Sequence, residues 1–155
     1  MATQDLSPKI AENAESKSFR YSFKSSKSQE EIFELLLEVD QWWSGIFQET
    51  ITGKSHRLND EFLFNAGGGM HYSKQKLLDL ELNKKIVWLV TESNLSFLKD
   101  TNEWDNTKIR FDISISGGSS RVTFTHEGLA PQLECYESCT GAWTQYMGEL
   151  EAKLK

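Results

Sequence analysis

The chain has 155 residues, with 23 acidic against 17 basic side chains and a net charge of −6. That length suits one domain with an ordinary core and no need of staples. The absence of a Lys/Arg face argues against nucleic acid, and no stretch approaches the ~20 apolar residues of a membrane span.

Residues 1–17 are polar, with scattered apolar side chains, and read as a mobile tail; residues 18–155 read as a single domain. Phe19, Tyr21 and Phe23 alternate with Arg20, Ser22 and Lys24, which predicts a half-buried strand. Ser28 and Glu31 form a capping-box pattern, and Ile32, Phe33, Leu35, Leu36 and Val39 continue with helical period. The helix ends near Asp40-Gln41-Trp42-Trp43-Ser44-Gly45, with room for a second short turn.

Strands follow. They are expected at Ile46–Thr52, Glu61–Ala66, Met70–Leu82, Lys85–Glu92, Lys108–Ser116 and through Val122, Phe124 and His126. Gly67-Gly68-Gly69, Asn83-Lys84 and Gly117-Gly118-Ser119-Ser120 supply the turns. Ser93–Asn106 reads as a polar loop carrying Phe97, Leu98 and Trp104. Short connections make consecutive strands antiparallel neighbours.

From Pro131 to Lys155, Leu133, Tyr136, Thr140, Trp143, Met147, Leu150 and Leu154 recur at steps of three and four, one stripe of a long helix. Gly141 and Gly148 inside it suggest close approach of a neighbouring backbone or a ligand. The order is strand, helix, six further strands, long helix. The fold class is therefore α+β: a curved antiparallel sheet of six to seven strands wrapped around the C-terminal helix.

Cys135 and Cys139 stand four apart, a spacing ill suited to a disulfide. They read as small helix packers in a reducing, cytoplasmic setting. They lack the paired spacing of a structural zinc site, so no metal is expected. The glycine triplet lacks the Lys-Ser/Thr and helix of a phosphate loop. His126 shares a strand face with Val122 and Phe124. It reads as a ligand contact or proton-transfer group, or as a structural histidine bonded to a backbone carbonyl or Glu127. Of His71 and Tyr72, one points inward; they read as a cavity-mouth contact or as a surface hairpin end.

Val39-Asp40-Gln41-Trp42-Trp43, the glycine triplet, Thr125-His126-Glu127-Gly128-Leu129 and Gly141-Ala142-Trp143 with Tyr146, Met147 and Leu150 together carry a resemblance. The chain resembles the helix-grip superfamily of START, Bet v 1-like and SRPBCC proteins. Within it, it is similar to the family related to the C-terminal domain of the activator of the Hsp90 ATPase. That family usually has Gly-Trp in the last helix; here Ala142 intervenes. The resemblance implies a cavity between the last helix and the sheet, an apolar small-molecule ligand, no metal or cofactor, and no shared catalytic set.

The residues expected around that cavity are Trp42, Trp43, Phe62, Phe64, Tyr72, Trp88, Phe111, Phe124, His126, Trp143, Tyr146 and Met147. The expected function is a non-catalytic module for a hydrophobic molecule, or a co-chaperone acting on Hsp90, as a monomer or weak homodimer. The alternative is a small cyclase or hydrolase in which His126 moves protons with Tyr72 or Tyr146.

Overall fold

The capping box forms as the sequence requires. Glu31 N–H donates to Ser28 Oγ, and Ser28 N–H donates to the Glu31 carboxylate, each at 3.1 Å. This starts helix α1, Gln29–Leu37, which buries Ile32, Phe33 and Leu36. A short 3-10 turn, Val39–Gln41, then delivers Trp42 and Trp43 to the interior. The computed structural model describes residues 18–155; the tail expected at 1–17 lies outside the described residues.

Seven antiparallel strands form one sheet: β1 (Phe19–Ser25), β2 (Thr50–Gly53), β3 (Glu61–Ala66), β4 (His71–Glu81), β5 (Lys85–Leu95), β6 (Lys108–Ser116) and β7 (Ser119–Glu127). Their spatial order is β1-β7-β6-β5-β4-β3-β2. The ladder breaks register in β4 between Lys74 and Gln75 and between Leu77 and Asp79, where bulges bend the long β4–β5 pair. Helix α2, Tyr136–Lys153, buries Cys139, Trp143, Tyr146, Met147 and Leu150 into the cluster formed by the sheet's concave face. Tyr21 on β1 donates to Glu151 at 2.7 Å, tying the far end of α2 to the sheet edge. No helix among the described residues is long and apolar enough to cross a membrane.

Three sequence expectations need correction. The strand expected from Ile46 begins only at Thr50. Glu49 turns its carboxylate back onto the N–H groups of Gly45 and Phe47, at 2.7 and 2.8 Å, and of Ile46, so those amides serve a side chain instead of a ladder. Strand β5 runs past Glu92 to Leu95, because Ser93 to Leu95 continue to pair with Ser73 to His71. Helix α2 starts at Tyr136, not Pro131; before it the chain makes tight turns, with Leu133 N–H bonded to Ala130 O and Tyr136 N–H to Leu133 O.

The interior glycines of α2 also differ from expectation. A Cβ built on Gly141 or Gly148 meets nothing within 4 Å, so neither glycine lies against a close neighbour. Their cost to the helix is uncompensated. Gly141→Ala and Gly148→Ala are each expected to raise stability by about 0.5–1 kcal/mol. Urea unfolding midpoints measure this, and a drop at either site would contradict the open face.

Candidate ligand cavity and its histidine relay

Most of the space between sheet and α2 is solid. Trp42 stacks on Trp43 with centroids 5.7 Å apart and meets Phe111 edge-on at 5.0 Å. Phe124 lies 5.2 Å from Phe111 and 4.5 Å from Trp143. Two of the indoles find acceptors here without any guest: Trp42 Nε1–H donates to Leu36 O at 2.8 Å and Trp88 Nε1–H to Ser55 Oγ at 2.7 Å. Trp42, Phe62, Trp88, Phe111, Phe124 and Met147, expected as cavity lining, are packed core: all are buried in the one cluster, and none lines the open volume.

An open volume survives at one end. It measures about 240 Å³ and is lined almost wholly by apolar atoms. Helix α2 contributes Ser138, Cys139, Ala142, Trp143 and Tyr146; the β3–β4 corner contributes Phe64, Ala66, Gly67, Met70 and His71. Trp43, Phe47, Phe97 and Trp104 complete the lining. Phe47, Met70 and Phe97 are 38%, 52% and 42% exposed, so the cavity has an apolar rim open to water. Of the residues expected around it, Trp43, Phe64, Trp143 and Tyr146 are brought together here.

His126 is wholly buried and both ring nitrogens are occupied. Trp143 Nε1–H donates to His126 Nδ1 at 3.0 Å. Since indole nitrogen can only donate, Nδ1 must accept and the proton must sit on Nε2. Nε2–H then donates to Thr107 Oγ1 at 2.9 Å, and Thr107 Oγ1–H donates to Trp104 O at 2.6 Å. The relay joins α2, β7 and the residues leading into β6. Burial, with a smaller contribution from His71, pulls the His126 imidazole down to about 3, which keeps it neutral. His126 does not line the cavity, so the sequence reading of it as a ligand or acid–base group is corrected: it is structural, bonded to Trp143 and Thr107, not to backbone or Glu127.

Tyr72 is also corrected. Strand parity sends His71 inward and Tyr72 to the opposite face, where its hydroxyl donates to Glu92 at 2.7 Å. The proton-transfer pair of Tyr72 and His126 is thus not assembled. Tyr146 does reach the cavity, but its hydroxyl is committed to Glu49. Burial and that bond push the Tyr146 phenol well above its ordinary range. For Glu49, burial acts upward, but bonds from Tyr146 and from nearby backbone N–H groups outweigh it and hold the carboxyl low.

The family model described as "Activator of Hsp90 ATPase homolog 1-like protein" matches residues 27–155. The chain belongs to this family. Among solved structures, the Aha1 dimer of Colwellia psychrerythraea is similar with a TM-score of 0.68 at 20% identity, covering 88% of this chain and 95% of that one. A Mesorhizobium loti protein has a TM-score of 0.66 at 17% identity, covering 87% and 94%. A Chromobacterium violaceum protein has 0.65 at 15%, covering 88% and 96%. At such identities these likenesses show the shared helix-grip fold. A search of curated protein sequences returns no match.

Within this family member, the residues that sequence reasoning missed come mostly from loops. Trp104 is buried although it sits in a polar stretch; its ring meets His71 at 4.5 Å and His126 at 4.6 Å, edge to face. Reciprocal carboxylates hold its loop. Glu103 accepts the N–H groups of Glu134 and Cys135 at 2.8 and 3.0 Å, while Glu134 accepts that of Lys99 at 3.1 Å. Glu103 thereby caps the start of α2, where Cys135 has no capping side chain. The available signal was a lone Trp among polar residues, which a solvated loop would not retain.

The neutral relay predicts an acid-side loss of stability. A histidine kept neutral in the fold takes up a proton more readily in the unfolded chain. Its stabilisation is complete above the unfolded value near 6.5 and is withdrawn as pH falls towards about 3, at up to about 1.4 kcal/mol per pH unit. Burial pulls His71 down to about 4, so it adds to the same slope. Non-titrating His126→Gln is expected to keep only the His71 share. Denaturant unfolding from about pH 7 to pH 4 reads the slopes; identical slopes in both proteins would refute the relay's neutrality.

Proposed function

We propose that this domain is a non-catalytic binding module that takes a hydrophobic small molecule into the cavity between α2 and the β3–β4 corner. The observation that carries this is the cavity itself. It is open at an exposed apolar rim and walled by aromatic rings that are rigid because they are stacked on a packed core. An apolar void of about 150 Å³ takes up benzene, so 240 Å³ suits a compound of about two rings. The enzyme alternative loses its support, because His126 has no free nitrogen and Tyr72 faces away.

Ala142 lies half-buried in the wall. Ala142→Phe is expected to fill the cavity and weaken binding of a neutral naphthalene-type dye by tenfold or more. The melting temperature should shift by no more than a few degrees. Dye fluorescence against protein concentration measures this, and undiminished binding by the variant would place the guest elsewhere.

A second reading is favoured by the rim. Phe47, Met70 and Phe97 form exposed apolar surface on a member of a family described by Hsp90 activation. In that reading the rim docks on a chaperone of the Hsp90 type, and the domain raises its ATP turnover. Met70→Asp and Phe97→Asp should each abolish the increase. No change in turnover with the wild-type protein would remove this reading.

A further inference from the structure

Two loop segments complete the cavity lining, and they are held very differently. Segment 96–106, which brings Phe97 and Trp104, is anchored along its length. Its Lys99 and Asp100 amides donate to Glu134 at 3.1 and 3.3 Å, and Asn106 N–H donates to Val90 O at 2.8 Å. Glu103 reaches across to the Glu134 and Cys135 amides, and the Trp104 carbonyl ends the histidine relay. Displacing this segment would break that whole set.

Segment 45–49, which brings Phe47, is tied mainly to itself. The Glu49 carboxylate collects the amides of Gly45 and Phe47 at 2.7 and 2.8 Å and that of Ile46 at 3.2 Å. Three successive amides closed on one carboxylate make a self-contained unit. Among the described residues, two hydrogen bonds reach from it to the rest of the fold. Tyr146 donates its hydroxyl to Glu49, and Gly67 N–H donates to Phe47 O at 2.9 Å. These land on α2 and on the β3–β4 corner, and both Tyr146 and Gly67 line the cavity. The unit is therefore a strap from one wall to the other, with Phe47 between. Half-buried Ile46 adds an apolar hold against the core. The exposed Phe47 ring meets Tyr146 alone among the described aromatic rings, edge-on at 5.9 Å.

The ends of the strap leave it room. Gly45 has φ +88, and a Cβ built on it meets nothing within 4 Å. Gln48 holds φ +57, a left-handed conformation uncommon outside glycine. Beyond Glu49 the chain enters β2, a four-residue strand at the sheet edge.

We propose that segment 45–49 is the entry gate of the cavity, a preformed strap latched shut by the Tyr146–Glu49 and Gly67–Phe47 bonds, so that Glu49 sets how fast a guest enters and leaves. This rests on the reading of the cavity as a binding site. Opening breaks the two cross-links and keeps the three inner bonds, because the carboxylate travels with its own amides. The charged acceptor makes the Tyr146 bond the stronger of the two links. Glu49 lies outside the lining, so it acts on passage and not on contacts with the guest.

Stopped-flow mixing near pH 7 with prodan, a neutral naphthalene dye, reads both rates. Glu49→Gln is expected to raise the association and dissociation rate constants together, each by about tenfold, with Kd changed by less than about threefold. Tyr146→Phe keeps the ring and drops only the hydroxyl. It should also speed dissociation, and it carries the test if the Glu49 variant does not fold. Wild-type rates in either folded variant overturn the gate and leave the cavity reading standing. Faster dissociation with unchanged association in Glu49→Gln also overturns it, since Glu49 would then support the bound state and not control passage. Glu134→Gln loosens segment 96–106; if it speeds both rates and Glu49→Gln does not, the entrance lies there and the gate falls. If the wild type binds no prodan up to the solubility limit, the cavity reading falls and takes the gate with it.

Discussion

One proton position organises the interior. Because Trp143 can only donate, His126 must accept on Nδ1 and donate on Nε2, and the rest of the relay follows to Thr107 and the Trp104 carbonyl. A fully satisfied buried network of this kind fixes geometry more sharply than apolar contact does, since any slippage leaves a donor unpaired. It locks the rotation of α2 against β7. It also fixes where the loop before β6 meets the helix, and so where Trp104 stands as a wall.

The position of the cavity follows from how the aromatic residues divide. Trp42, Trp88, Phe111 and Phe124 pack around the middle of the sheet, edge-to-face except for the tilted Trp42–Trp88 pair. Toward the β3–β4 corner, α2 sets the small side chains of Ala142, Cys139 and exposed Ser138 between and beside the large rings of Trp143 and Tyr146. Small helical residues opposite a curved sheet end leave volume unfilled. The void is thus a product of side-chain size on one helical turn, not of the glycines in α2.

The architecture was legible because its signals are local. Alternation in Lys108–Ser116 and the Ser28–Glu31 pair declare their elements directly, and a stripe from Tyr136 to Leu154 gives the gripping helix. The site was less legible because loop residues such as Phe47, Phe97 and Trp104 complete a wall begun by α2 and the β3–β4 corner. Whether His71 or Tyr72 faces inward depends on register with β3, which only pairing resolves. The burial of Trp104 depends on Glu103 and Glu134, acidic residues that look like ordinary surface until they are seen to clamp two segments together. His126 was singled out correctly as unusual, but only the indole donor from α2 reveals that its role is to hold rather than to react.

The closing of the sheet has a consequence for how the chain is made. Strand β1 pairs with β7, and Ser22 on the former bonds Thr123 on the latter across a sequence separation of 101 residues. Such distant pairing carries a large loop-closure entropy and slows folding. The first strand must therefore wait, edge unsatisfied, until β7 has been made. The helix that covers the core follows β7 in the chain and is synthesised later still. Until then the aromatic interior stands open to water, and during that interval the nascent chain is at its most vulnerable to self-association.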